Sequence, residues 1–546
     1  MSSDSSSTAP AVSDLVSLGV PEALAPRAAA HLGPDAAALL RGDPWELLRL
    51  PGVAPAQADR FALTVLPGAD PQDPRRGRAL VAHLLAEAAR RGDTALPGAA
   101  VVRELTALRV TDPYAAVNAA LDEARVMLFL EEPSEADLPE DAEDFPDPEE
   151  WLALARYGLA EETFAEGVQR LAATAPPLDV PDDGTAPEGE AAVQALFHGV
   201  CVVTGPVGGV LAELEATGLP LAVAAVTATA AAEFPGTVSL HRLLEAREGH
   251  AGIGYARGEE WPLEAALVVV VGAEALDVEL AAALVEACPD GVHLVLCGDP
   301  AGLASLRPGR VLADLVATEA VPVTSVPAAD GPLAELAEGV RGGTLPVVTA
   351  PGREVVVVPV ADGREAAHRA GQLLTDSIPR ALGIATGDVQ VLTPGLAGTA
   401  AFNAALKAVV NPGPGAFGGF DAGDRVVVAV PFGDAAAGET GTVTEAGPDG
   451  LAVAFPDGTV QVPLAQAARL RHGWAIPVQQ AVGIRWPAVV AVFPGPADLS
   501  GALLLTAVTR ARTHLSLVTA AGPALTRAAA DRTPQPRRTR LVGLLT

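Results

Sequence analysis

The sequence predicts a mixed α/β protein: two units built on parallel sheets, a small antiparallel insert in the second, and a helical region ahead of both. Three patterns carry that prediction. Short apolar runs at Gly199–Thr204, Leu267–Val271 and Val292–Cys297 alternate with helical segments such as Leu276–Cys288. A strand apolar along its whole length has no solvent face, so it belongs in a parallel sheet covered on both sides. A second set begins at Arg353–Val360 and resumes at Val389–Pro394 and Ala488–Phe493. Between these, Gly423–Leu464 breaks into short strands separated by Gly-Pro-Asp-Gly (447–450) and Pro-Asp-Gly (456–458), the turn chemistry of an antiparallel meander or barrel.

Taken in order, residues 1–12 read as a disordered tail and 13–112 as short helices punctuated by Gly and Pro. Leu47–Leu50, Pro51-Gly52-Val53 and Ala54–Ala62 fit a helix, a tight hairpin and a second helix. In the latter, Ala58, Phe61, Ala62 and Val65 recur at helical spacing. Leu15–Leu32, around Leu18-Gly19-Val20-Pro21, is a weaker copy. Such a hairpin aims free backbone N–H groups at a phosphate, with Arg49 and Arg60 flanking it; it reads equally as a helical corner that binds nothing. Residues 113–185 read as a helical connector. Within it, 131–150 holds eleven carboxylates, four prolines and no base, the composition of a solvated linker. The two α/β units then occupy 186–345 and 346–546, with the insert at about 421–466.

Composition narrows the function classes. The chain has 546 residues, 49% of them hydrophobic, enough for several large cores. Acids outnumber bases 67 to 36, a net charge of −31 that opposes diffuse attraction to nucleic acid or anionic membrane. Two regions escape that bias. Ser13–Asp112 is nearly balanced, and Ala507–Arg540 carries seven arginines against Asp531 alone. No apolar stretch reaches the ~18–20 residues of a membrane span, and the N-terminus lacks the basic and apolar regions of a secretory signal. Cys201, Cys288 and Cys297 have no CxxC spacing and sit among Val and Leu, as reduced core thiols of a cytoplasmic protein do. The nine histidines show no HxxxH or HExxH spacing, so no metal site is expected. Lys407 is the only lysine. Any chemistry needing an ammonium elsewhere is excluded.

Several stretches, in collinear order, resemble the RecD-type superfamily 1 DNA helicases that carry an N-terminal helix-hairpin-helix region. Pro44-Trp-Glu-Leu with Pro51-Gly52-Val53 and Ala58-Asp59-Arg60 is similar to that region, and Arg91–Pro97 to its "GHTYLP" segment. Thr237–Glu245 resembles "TIHRLLE", and Leu294–Pro300 with Pro308–Leu315 resembles "LVGD…PG.VL.DL". Gly423–Val426 and Gly438–Val443 fit the family's inserted barrel. Thr506–Arg512 matches the last helicase motif, and Arg537–Leu541 the C-terminal "R.T.L". The resemblance implies two RecA-like P-loop NTPase-fold domains with an SH3-like barrel in the second, preceded by an all-α helix-hairpin-helix domain. It also implies an ATP-dependent 5′-to-3′ DNA helicase.

The catalytic positions depart from the family. Its phosphate loop ends in Gly-Lys-Thr, because amides cradle the phosphates, the ammonium neutralises them and the hydroxyl holds Mg²⁺. The matching stretch is Val202-Val-Thr-Gly205-Pro-Val-Gly208-Gly209-Val210-Leu211, with Val210 in the lysine slot under a one-residue shortening and Leu211 there without it; neither register supplies Lys. In Pro262–Asp277, Val271 and Gly272 replace the metal-binding Asp and the Glu that activates water; Glu274 lies two residues late, at the start of what reads as a surface helix. Gly302 replaces the glutamine that follows Asp299, and Ala475–Pro487 has lost the polar residues of "AITVHKSQGSEYP". The expectation is therefore a helicase homologue without ATP hydrolysis and without ATP or Mg²⁺ as cofactors. Its vestigial nucleotide site comprises Gly205, Gly208, Gly209, Val210, Asp299 and Arg510. No residue is assigned a catalytic role. DNA is the expected partner, through Pro51, Gly52, Val53, Arg49 and Arg60, with a second protein of a repair complex and no membrane. The alternatives are an active helicase with an unorthodox site, for which ATP and Mg²⁺ would be needed, and an acidic protein-binding scaffold.

Overall fold

A computed structural model describes residues 8–131, 148–249, 252–430, 432, 435, 438–456, 458–533 and 536–546. It divides into two compact units, one running through Glu162 and including Arg537–Gly543, the other covering Thr163–Pro536 with Leu544–Thr546.

In the first unit, helices begin at Thr8–Ser17, inside the stretch read as a tail, and continue through Ala25–Leu32 and Ala36–Gly42. A 3-10 helix, Pro44–Arg49, leads into the Pro51-Gly52 turn and the helix Pro55–Val65. Trp45 is the anchor. Its ring is 1% exposed, and its indole N–H donates to Asp59, which also accepts two bonds from Arg76. Burying an aromatic of that size contributes roughly 1.5–3 kcal/mol, and the paired indole removes the cost of an unmade bond. This unit is not all-α. Ala95–Pro97, Val126–Glu131 and Glu149–Leu154 form a three-stranded antiparallel sheet, and the last two flank the acidic segment. They are strands because each pairs with a segment that sequence periodicity could not identify. Residues 132–147 of the acidic block lie outside the described residues.

The C-terminal stretch Arg537–Gly543 belongs to this same unit. Arg538 receives the Thr94 amide on its carbonyl and donates its own amide to Asp93. The Arg540 amide and the Thr94 hydroxyl both donate to Glu161, which is fully buried, and the Arg540 guanidinium lies 3.3 Å from the Phe129 ring centre.

The second unit holds both parallel sheets. Six strands run in the order Val323–Ser325, Val200–Thr204, His293–Cys297, Leu267–Val271, Leu221–Ala225 and Val238–Ser239, every pair parallel. Five more run in the order Val355–Pro359, Ala511–Thr519, Trp486–Phe493, Val389–Thr393 and Ala475–Pro477, again all parallel. All five residues of Leu267–Val271 and of His293–Cys297 are buried, as their unbroken apolar runs predict. Cys201, Cys288 and Cys297 are free and buried, and burial pushes the first two thiols up to about 12. The insert is a five-stranded antiparallel sheet closing with Leu470–His472, a few residues beyond the predicted boundary. Among the described residues, no helix is long and apolar enough to cross a membrane.

Candidate functional site

In parallel α/β sheets, ligands sit beyond the carboxyl ends of the strands. Here Thr204, Val271 and Cys297 end three neighbouring strands, and the segments that follow them carry every position the nucleotide motifs should fill. Gly205 adopts φ +94°, and a Cβ there would collide with the Val326 carbonyl, so packing alone demands this glycine. After Pro206 and Val207 the helix Gly208–Ala216 begins at once, which leaves a short loop. Gly208 and Gly209 are exposed with open space around them. Val210 and Leu211, 6% and 5% exposed, turn inward and pack in the core beside Val203 and Val271.

The turn after Val271 departs furthest from expectation. Gly272 is left-handed at φ +73°, and a Cβ on it would lie 3.3 Å from the backbone of Gly483, itself at φ +75°. The two glycines bring the backbones of the two α/β halves into contact. A single 3-10 turn, Ala273–Ala275, then carries Glu274 inward. Contrary to the surface position expected for it, its side chain is only 11% exposed, with Oε1 3.6 Å from Arg510 Nη1. Burial pushes the Glu274 carboxyl above its ordinary range, and Arg510 only partly opposes this. Arg510 is 6% exposed. It donates to the carbonyls of Thr506, Ala481 and Ile484 and to the Thr509 hydroxyl, so its guanidinium is occupied within the protein. Asp299 pairs with Arg341 at 2.5 Å and accepts the Ala301 amide. Gly302 faces the Thr506 hydroxyl, 3.0 Å from where a Cβ would stand, and that hydroxyl accepts the Leu303 amide. Gln479 donates to the carbonyls of Ala304 and Ser305. Gly205, Gly208, Gly209 and Val210 thus share one loop and helix start, while Asp299 and Arg510 are engaged by protein partners. Among the described residues, no group of three or more His, Cys, Asp or Glu side chains is placed to hold a metal ion.

The hairpin candidates lie in the first unit. Gly52 sits at φ +79°, and nothing lies within 4 Å of where a Cβ would stand, so the turn faces open space. The Val53 amide donates to Leu50, and the Ala54 amide to the Gln57 side chain. Val53 itself is 2% exposed and belongs to the core, which corrects its place among surface contacts. Pro51 is exposed, and its carbonyl accepts from Arg27 at 2.6 Å. Arg49 is held by Glu46 at 3.1 Å, whereas Arg60 is exposed with one long bond to the Ala56 carbonyl. The weaker upstream copy is real. Gly19, at φ +101°, turns between two helices, and its α-carbon packs toward Thr64 of the other hairpin. Glu274 was named from the sequence but placed on the surface; the signal for its inward position was a carboxylate just past an apolar strand end.

Residues 5–95 match the family model of the ATP-dependent RecD2 DNA helicase HHH domain. The ATP-dependent RecD2 DNA helicase of Deinococcus radiodurans is 30% identical over 542 aligned positions, covering 91% of this chain and 73% of that protein. The RecBCD enzyme subunit RecD of Mycobacterium tuberculosis is 29% identical over 237, covering 32% of this chain and 41% of that one. Among solved structures, Bacteroides Pif1 bound to single-stranded DNA aligns at 15% identity and a TM-score of 0.36, over 58% of this chain and 88% of that one.

Proposed function

Because the chain belongs to the RecD2 family of DNA helicases, we propose that it keeps the family's fold as a DNA-binding protein that no longer hydrolyses ATP. In this reading it serves as an accessory factor in DNA repair or recombination in the cytoplasm, and its inserted sheet is the family's SH3-like barrel. The observation that supports it most is a pair of substitutions beyond the strand ends: a buried Val210 where an ammonium is needed, and a left-handed Gly272, where a Cβ would stand 3.3 Å from the Gly483 backbone, in place of a carboxylate. Removing one preorganised charged group costs about 10²–10³ in rate. Such losses are not additive, yet the Lys, the Thr and both acids are replaced together. Full-length protein with Mg²⁺, ATP and single-stranded DNA is expected to turn over at least a hundredfold below the ~1 s⁻¹ of ordinary enzymes. The identity along nearly the whole length to a protein named an ATP-dependent helicase favours the opposite reading, an active motor. A turnover of about 1 s⁻¹ or faster would establish that one instead.

DNA binding is assigned to the two hairpins, because their amide donors work without net positive charge. Affinity should fall as salt rises from 50 to 200 mM, with a shallow slope, since few Arg side chains face the duplex. Gly52→Val should weaken binding at least tenfold. A β-branched residue resists φ +79°, while the open space around the position leaves the core untouched. Unchanged affinity in a fluorescence-anisotropy titration would remove the hairpin from the interface.

A further inference from the structure

A cavity of about 420 Å³ opens beside the strand-end site in the second unit. None of residues 204–211 lines it, so it is not the space a triphosphate would take. Its volume falls within the ~300–1,000 Å³ of small-molecule sites, and its composition is of the same kind: an apolar body with a few convergent polar groups. Leu303, Leu312, Val316 and Leu505 supply the walls, and alanines and glycines leave the space open between them.

The polar groups are unequal in a way that specifies a ligand. Asp299 accepts from Arg341 and the Ala301 amide, and Asp531 accepts from the Thr533 amide. Donors are left over. Arg310 gives Nε and Nη2 to Asp314 and retains Nη1. Arg341 gives both terminal nitrogens to Asp299 and Glu338 and retains Nε. Arg532 is exposed and makes no hydrogen bond or ion pair among the described residues. At the inner end, Glu274 Oε2 is buried with no partner. Three guanidinium groups thus share one apolar hollow with the carboxylates of Glu274, Asp299 and Asp531.

We propose that this cavity binds a small acceptor-rich anion with an apolar ring, of the aryl carboxylate or aryl sulfonate class. The ring occupies the leucine-lined interior, and the anionic group meets Arg532 and the free edge of Arg341 at the mouth, where guanidinium geometry suits planar oxyanions. The site is independent of whether the nucleotide loop is active, since the two share only Glu274, Asp299 and Gly302 and none of residues 204–211.

The test uses full-length protein and the fluorescent aryl sulfonate 8-anilinonaphthalene-1-sulfonate. A saturable, one-to-one enhancement is expected, undiminished by millimolar Mg²⁺–ATP. Ala502→Trp fills the hollow and should abolish it, and Arg532→Glu should weaken it at least tenfold with an unchanged melting temperature. Arg532 is exposed, so its variant reports on binding even if the tryptophan variant folds poorly. Non-saturable enhancement, or one-to-one binding that Arg532→Glu leaves unaltered, would overturn the assignment. ATP hydrolysis by the same protein would overturn only the reading of an inactive motor.

Discussion

Gly272→Glu, which restores the carboxylate that the helicase motif calls for, is expected to destabilise the second unit by about 2–5 kcal/mol and to leave ATP hydrolysis undetected. Two costs combine. A side chain at φ +73° adds roughly 1–2 kcal/mol, because Cβ crowds the following carbonyl. Beyond Cβ, the carboxylate must enter a seam where the Gly483 backbone already lies 3.3 Å away, and such overpacking typically costs ~1–3 kcal/mol. Gly272→Ala carries the first cost with little of the second, so its melting temperature should fall between wild type and glutamate. The pattern to look for is that order in thermal denaturation, with all three proteins silent in an ATPase assay. A glutamate variant as stable as wild type, or one that turns over ATP, would show that the seam opens and that the two-glycine contact does not exclude a catalytic acid.

Lys407→Met should cost ~3–5 kcal/mol, the range for stripping one partner from a buried ion pair. The ammonium lies 2.7 Å from Asp421 and 2.6 Å from Asp424, whose side chain is fully buried. It thereby joins the helix Thr399–Val410 to the first strand of the insert. Burial works against the charged amine, but hydrogen bonds to the two carboxylates outweigh it and raise its pKa. The same hydrogen bond lowers that of Asp421. The signs define a window. The depressed Asp421 contributes stability above its unfolded value of about 4 and loses it as pH falls through the folded one; the raised Lys407 contributes below about 10.4 and loses it as pH rises further. The wild-type advantage over the variant should thus be widest near pH 7 and shrink toward both extremes. Lys407→Arg keeps the charge but brings a wide planar fork where a compact point charge fits, so it should also destabilise, by less than Met. That steric demand gives a reason for one lysine in a chain that otherwise uses arginine. Equal melting temperatures for wild type and Lys407→Met would refute the account.

Much of the architecture was readable because it depends on near neighbours. The runs Leu267–Val271 and Val292–Cys297 became buried parallel strands, and Pro51-Gly52 became the turn its residues require. Other features depended on partners far along the chain. Glu274 looked like a helix-start surface residue until the left-handed Gly272 turned the next three residues inward to Arg510, more than two hundred positions away. Arg540 is held by Glu161 and stacks on Phe129, both several hundred positions away. Val126–Glu131 and Glu149–Leu154 became strands by pairing with each other across the acidic segment.

Periodicity, turn dipeptides and the collinear order of motifs therefore settled, from the amino acids alone, the core strands of the two parallel sheets, the hairpin turn and the family they compose. Folding in three dimensions decided which charges are consumed by the protein itself, which glycine is held open by another backbone, and where donors remain unspent. The reason is range: hydrophobic patterning acts over a few residues, whereas the desolvation and pairing of a charge depend on whichever distant segment packs against it.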